Sequence, residues 1–250
     1  VEGEAEIAKV RVLDLGLVEY AQTWDLQKNL HQHLVKRKRF EDYKSSLASP
    51  LDKDHYFILC QHSSVFTLGK SGSEDHLLKS LDELADQGID YFKINRGGDI
   101  TYHGPGQIVG YPLLDLDNFF TDVHKYVRFL EELIIRVLAK FDILGFREKD
   151  YTGVWVEFDA APHYRKICAI GVHLSRWVTM HGFAFNVAND LSPFGYIIPC
   201  GINESNRGIC SLTDLVGQRV NIEEVNDMII EEFGQLFECE MIKDNEIPMI

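Results

Sequence analysis

No CxxC pair and no zinc-ligand spacing occurs in this 250-residue chain, and its five cysteines, at 60, 168, 200, 210 and 239, are an odd set. A chain of this size with that pattern does not rest on a disulfide framework, and reduced thiols fit a cytoplasmic protein. No apolar run approaches bilayer length, which excludes a membrane-spanning helix. Positive charge is scarce: 25 Lys and Arg face 39 Asp and Glu, for a formal net charge of −14. That argues against sequence-independent nucleic-acid binding, which depends on cations displacing counterions along phosphates. The single basic run, His31–Arg39, reads either as a solvated helix face or as a docking patch. Internal repeats, low-complexity stretches and Pro/Gly/Ser linkers are also missing, so residues 1–250 are expected to form one domain. The first residues, Val-Glu-Gly-Glu-Ala-Glu, lack the basic-then-apolar order of a secretory signal.

What is present is a composition ordinary for a folded soluble protein, 45% apolar and 26% charged. Pattern predicts strands at 10–15, 55–60, 65–68, 89–95, 108–114, 153–158, 166–174 and 178–187, with 55–60 and 65–68 expected as a buried pair. Helices are predicted at 18–42, 74–87, 122–141 and 222–238. The third carries Val127, Leu130, Leu133, Ile134, Val137 and Leu138 at three- and four-residue steps. The last begins with Asn221 and Glu224 at capping-box spacing. Helices interspersed with antiparallel-looking strands indicate a mixed α/β or α+β fold.

Two familiar phosphate-binding signatures fail. Gly104-Pro-Gly106-Gln-Ile-Val-Gly110 has one residue too many for a dinucleotide turn and leads into a strand-like segment; Gly69-Lys70-Ser71 lacks the first P-loop glycine, Ser64 standing there. The stretch Arg96-Gly-Gly-Asp-Ile-Thr-Tyr-His-Gly-Pro-Gly-Gln107 gathers a cation, an imidazole and bare amides, and reads equally as a ligand cradle or a Gly/Pro-rich hairpin. His62, His103 and His181 have no spacing that requires a metal. Cys60, Cys168, Cys210 and Cys239 fit buried or helix-end positions. Cys200, between Pro199 and Gly201, is different: one neighbour stiffens the backbone and the other lets a second molecule approach. A thiol attacks as its thiolate, and the amine of Lys166, in Arg-Lys-Ile-Cys-Ala-Ile-Gly, can take its proton. Lys166 taken alone also reads as an ordinary charge where a strand begins.

Taken together, the 96–107 stretch, Lys166-Ile-Cys-Ala-Ile-Gly, His181-Gly-Phe-Ala-Phe-Asn and Pro199-Cys-Gly-Ile resemble the lipoyl (octanoyl) transferase family, over about residues 55–215. The resemblance implies a single-domain biotin/lipoate-ligase-like α/β fold. It implies transfer of an octanoyl group from acyl carrier protein to a lysine of lipoyl domains, in oxo-acid dehydrogenase complexes and the glycine-cleavage carrier protein, as the first step of protein lipoylation. The family's nucleophile falls on Cys200 and its essential lysine, a general acid and base, on Lys166. Substrate contacts fall on Arg96, Gly97, Gly98, Asp99, Ile100, Thr101, Tyr102 and His103, on Ala169, Ile170 and Gly171, and on Gly182, Phe183 and Ala184. Neither ATP nor a metal is expected, because the carrier thioester is already activated, and neither nucleic acid nor membrane is an expected partner. Two departures are Ser64, where the family commonly has proline, and Cys210, where threonine is usual.

Phe183 and Ile170 are candidate walls of an apolar slot for the acyl tail. Three rival readings remain. A lipoate or biotin ligase needs ATP but no thiol nucleophile. A non-catalytic binding protein would keep Cys200 inert. A papain-like peptidase would pair Cys200 with His103 or His181, although the local peptidase motif is missing.

Overall fold

The computed structural model describes residues 7–43, 54–198 and 206–243. β1 (Lys9–Val18) leads into the long helix α1 (Tyr20–Tyr43), followed by β2 (His55–His62), β3 (Val65–Leu68), the short helix α2 (Leu81–Asp86) and β4 (Asp90–Lys93). Next come β5 (Ile100–His103), β6 (Gln107–Leu113), α3 (Val123–Ala139) and four consecutive strands, β7 (Gly145–Glu148), β8 (Tyr151–Glu157), β9 (Tyr164–Ser175) and β10 (Val178–Asn186). β11 (Arg207–Ile209), α4 (Leu212–Val216), α5 (Ile222–Phe237) and β12 (Glu240–Lys243) follow.

Among the described residues nine strands form a mixed sheet in the order β12-β1-β2-β6-β10-β9-β8-β7, with β11 attached to β9; β4, β3 and β5 form a second, small sheet. β1 lies parallel to both β2 and β12, while β7 to β10 pair antiparallel in sequence. The large sheet is covered on both faces. Phe57 and Leu59 of β2 join Leu130, Leu133, Ile134 and Val137 of α3 and Ile229 and Phe233 of α5 in one core. Tyr56, Ile58 and Cys60, the alternate residues, face Leu30 and Leu34 of α1 in another. Burial on both faces explains why β2 reads as an unbroken apolar run instead of alternating.

Several expectations are corrected. β2 and β3 do not pair with each other but belong to different sheets, since Ser63 and Ser64 redirect the chain between them. The helix expected over 74–87 is two pieces, a single 3-10 turn at Glu74–His76 and then α2. Leu77 leaves helical geometry to bridge Ile197, and Ser80 starts the helix again with a reciprocal capping box to Glu83. The glycine-rich stretch holds a strand, β5, not only a loop. The basic run of α1 is not simply solvated: Arg37 donates to the Asp54 carbonyl at 3.0 Å, and Lys38 pairs with Asp115 and Asp117. α5 is capped by the Asn221 side chain accepting from Glu223 N, one residue earlier than a capping box requires.

Candidate active site

The sequence motifs meet because of strand register. In the β9–β10 ladder Gly171 stands opposite Gly182, Ile170 opposite Phe183 and Ala169 opposite Ala184. Cross-strand partners share a face, and alternate residues keep to it. One face therefore carries a Gly–Gly pair, where the Gly97 and Gly110 carbonyls already lie within 2.7 and 2.1 Å of a Cβ's place, and an Ala–Ala pair, which leaves room that larger side chains would fill. A cavity of about 250 Å³ opens there, walled by Ala169, Ala184, Trp155, Leu191, Phe194 and Ile209, with Lys166, Arg207, Gln107, Asn186 and Thr101 as its polar groups. A smaller hollow of about 60 Å³ adjoins it, sharing Thr101, Lys166, Ala169 and Ala184 and reaching Arg96, His181, Ile170 and Phe183.

Lys166 lies on β9 between Trp155 of β8 and Ile209 of β11. It is 9% exposed, with Nζ 4.9 Å from the centre of the Trp155 ring. Such contact with the face of an indole stabilises an ammonium. Its aliphatic stem runs past Gly153, a residue with φ +126° where a Cβ would come within 3.5 Å of Lys166 Cδ and Cε. Cys200 falls outside the described residues. The described chain on either side reaches the larger cavity: Phe194 and Gly195 before it, and Arg207, Gly208 and Ile209 after it, are lining residues.

Arg96 is buried and fixed to backbone, with Nη2 donating to the Thr67 carbonyl at 2.6 Å and Nη1 to the Gly97 carbonyl at 3.0 Å. Gly97 N bonds Val172 O at 2.9 Å, a docking of loop on sheet that Gly171 permits: a Cβ there would meet Gly97 O at 2.7 Å. Asp99 receives Ile100 N at 2.7 Å and the His76 ring. Gly98, Asp99 and Ile100 line the smaller hollow and Thr101 lines both, whereas Gly97 and Tyr102 stand behind the walls. Tyr102 supports Phe194 edge-on, with ring centres 5.6 Å apart, and its hydroxyl lies 3.0 Å from Ser64 Oγ, so the serine departure contributes a hydrogen bond. Phe183 lies over Gly110, where a Cβ would meet its ring at 2.3 Å, and also contacts Phe57.

The histidines are poor bases. His103 donates Nδ1–H to Gln107 Oε1 at 2.8 Å, and burial pushes its pKa down to about 3; burial and then Arg96 do the same for His181, which contacts Asn95 Oδ1 through Nε2 at 2.9 Å. His62 is held at about 4, with Nδ1 on Val18 O and Nε2 on the Tyr111 hydroxyl. Burial also raises the thiols of Cys60, Cys168, Cys210 and Cys239, the last two to about 12, which makes them unreactive. Among the described residues no group of three or more His, Cys, Asp and Glu is placed to hold a metal, and no helix is long and apolar enough to cross a membrane.

The sequence reading missed Trp155, Gln107, Asn186 and Arg207. Gln107 Nε2 donates to Asn186 Oδ1 at 2.9 Å, and Asn186 Nδ2 to Cys210 O at 3.2 Å, joining β6, β10 and the chain after β11 behind the cavity. Gln107 ends the Arg96–Gln107 stretch and Asn186 the His181–Asn186 stretch, which is their only signal in the sequence. Trp155 had none.

The chain belongs to a recognised class: residues 19–234 match the lipoyl protein ligase A/B catalytic domain. An archaeal bipartite lipoate protein ligase from Thermoplasma acidophilum superposes with a TM-score of 0.68 at 14% identity, covering 96% of this chain and 87% of that one. A lipoate-protein ligase A bound with ATP gives 0.66 at 15% identity, covering 96% and 89%. Likenesses at such identity establish the fold. Sequence relatives narrow the class: an octanoyltransferase of Flavobacterium psychrophilum is 49% identical over 237 residues, 93% of this chain and 98% of that protein. One from Bacteroides thetaiotaomicron is 42% identical over 229 residues, 91% and 95%. The chain belongs to the octanoyltransferase family, a family of enzymes, within the lipoyl protein ligase A/B class.

Proposed function

We propose that this enzyme transfers an octanoyl group from acyl carrier protein to a lysine of lipoyl domains, those of oxo-acid dehydrogenase complexes and the glycine-cleavage carrier protein, as one catalytic domain in the cytoplasm. The observation that carries this reading is Lys166, whose amine is buried in the wall of an apolar cavity bounded by the described residues on both sides of Cys200. Family membership supports octanoyl transfer in lipoylation. The thiol, the carrier donor and the lysine's role are our reading of the chemistry.

In the first step Lys166 Nζ takes the thiol proton and Cys200 Sγ attacks the thioester carbonyl. The new S–C bond forms as the carrier S–C bond breaks, and the carrier thiol leaves with the proton from Lys166. In the second step the lipoyl-domain amine attacks acyl-Cys200, a C–N bond replaces the S–C bond, and the amine's surplus proton returns to the thiolate through Lys166. Exchange between thioesters is nearly balanced, whereas the amide is more stable and draws the sequence forward. No ATP is consumed, since the acyl group arrives activated. The segments 96–103, 169–171 and 182–184 hold the acyl end of the donor, with Ile170 and Phe183 bounding the inner hollow.

A cysteine–histidine peptidase is disfavoured by the depressed, hydrogen-bonded imidazoles of His103 and His181. Intact mass after incubation with octanoyl carrier protein tests the proposal. Wild type should gain one octanoyl group on the peptide containing Cys200, and Cys200→Ala none. An adduct on another residue, or a strict need for ATP, would overturn it.

A further inference from the structure

α3 buries a carboxylate in the middle of its apolar face. Glu131 has no exposed side-chain surface, although the positions one turn either side, Val127 and Ile135, call for nothing charged. A charge in such a place is costly unless its oxygens are fully engaged. Two arginines supply part of that, Arg128 Nη1 at 2.7 Å and Arg147 Nε at 3.2 Å from Oε2. The other oxygen crosses to the large sheet, where Oε1 accepts the backbone N–H of Gly153 at 3.1 Å.

Gly153 is where β8 departs from regular pairing. Its φ of +126° is closed to residues with a Cβ, and a Cβ would strike Cys168 O at 2.4 Å. Against β7, Thr152, Gly153 and Val154 stand where β7 has Arg147 alone, so β8 bulges there; against β9 the register shifts between Val154 and Trp155, with the extra residue, Ile167, on β9. A bulge frees backbone groups from the ladder and re-aims the side chains after it. The residue re-aimed is Trp155, whose ring lies against Lys166 Nζ, and the space a Cβ would take at Gly153 borders the Lys166 stem.

We infer that Glu131 is a positioning residue for Lys166: by holding the Gly153 bulge, it sets the β8 backbone that aims Trp155 at the lysine and leaves the lane in which its stem lies. This accounts for a buried carboxylate where an apolar residue would serve the core as well. The catalytic consequence rests on the acyl transfer proposed above, so the test has one readout that does not.

Glu131→Met removes the acceptor but keeps the volume, and Arg128 and Arg147, both partly exposed, retain water and, for Arg147, Glu132. Glu131→Gln removes the charge but keeps an oxygen, which Gly153 N–H takes because it alone lacks another partner once the arginines turn outward. Both are compared in a Trp24→Phe, Trp177→Phe background, in which Trp155 is the only tryptophan. Glu131→Met should red-shift Trp155 emission and raise its quenching by acrylamide, while Glu131→Gln leaves both near the parent. With octanoyl carrier protein, kcat should fall about a hundredfold for Glu131→Met with little change in KM, the scale of a misplaced catalytic group, and recover in Glu131→Gln. Lys38→Met, which breaks a distant ion pair, controls for lost stability and should leave emission and kcat unchanged. Parent-like emission in folded Glu131→Met, or failure of Glu131→Gln to restore it, overturns the inference. Shifted emission with parent kcat overturns the role for Lys166; no transfer even in the parent refutes the proposed function and leaves the emission result standing.

Discussion

Lys166 carries its amine on a stem hemmed in by Gly153 and the Trp155 ring, and in the proposed reaction that amine accepts and returns a proton. Lys166→Arg keeps the charge but hardly deprotonates, so it should reduce acyl-enzyme formation nearly as much as Lys166→Ala. Retention of most of the wild-type rate, measured by quenched mass spectrometry, would reduce the lysine to an electrostatic partner. Cys210 is the thiol most easily mistaken for a participant, yet it is 1% exposed, with a pKa pushed up to about 12. Cys210→Ser should retain the octanoyl adduct, and intact mass checks it directly. At this scale the sequence was informative where chemistry is local. Pro-Cys-Gly stands out by its immediate neighbours and Lys166 only by the family resemblance, whereas Trp155 and Glu131 come to Lys166 and Gly153 through partners distant in the chain.

The β9–β10 hairpin makes the cavity by what it leaves out. Ala184→Leu should fill the space beside Ala169 and shift the preference from octanoyl toward shorter acyl groups. Initial rates with carrier-bound butanoyl, octanoyl and dodecanoyl groups test this, and an unchanged profile would mean that the tail lies elsewhere. Gly182 has a different task, since a Cβ there would meet Gly110 O at 2.1 Å and Pro112 Cδ at 2.8 Å. Backbone oxygen cannot swing aside, so Gly182→Ala should cost about 1–3 kcal/mol in stability, read as a lower urea midpoint at unchanged m-value. Element type was legible for α3 and α5, where apolar positions recur at helical spacing. It failed over 74–87, because the pull of Ile197 on Leu77 is invisible to local periodicity.

Where α1, the large sheet and the small sheet meet, Tyr20, His62, His103, Tyr111 and His181 share a buried cluster; the Tyr20 and His103 rings stack with centres 6.1 Å apart. His62 titrates at about 4 and the other two histidines at about 3, against about 6.5 in the unfolded chain. Between those limits the unfolded state binds protons the folded state refuses. The stabilisation is therefore whole above about pH 6.5 and is lost as pH falls toward 3–4, at about 1.4 kcal/mol per pH unit for each histidine inside its window. Urea unfolding between pH 6.5 and 5 should show this slope, and His103→Asn should flatten it by one histidine's share; an unchanged slope would mean that His103 is protonated in the native state.

The candidate residue types, the apolar run of β2 and the helical stripes of α3 and α5 were determined by the sequence itself, since each is a pattern of residues within a few positions. Only the tertiary structure decided that β2 and β3 enter different sheets, that Ala169 meets Ala184 to open a cavity, and that Glu131 reaches across to the strand beside Lys166. Those outcomes turn on strand register and layer packing, and the contacts that set them join residues outside the span of any local pattern.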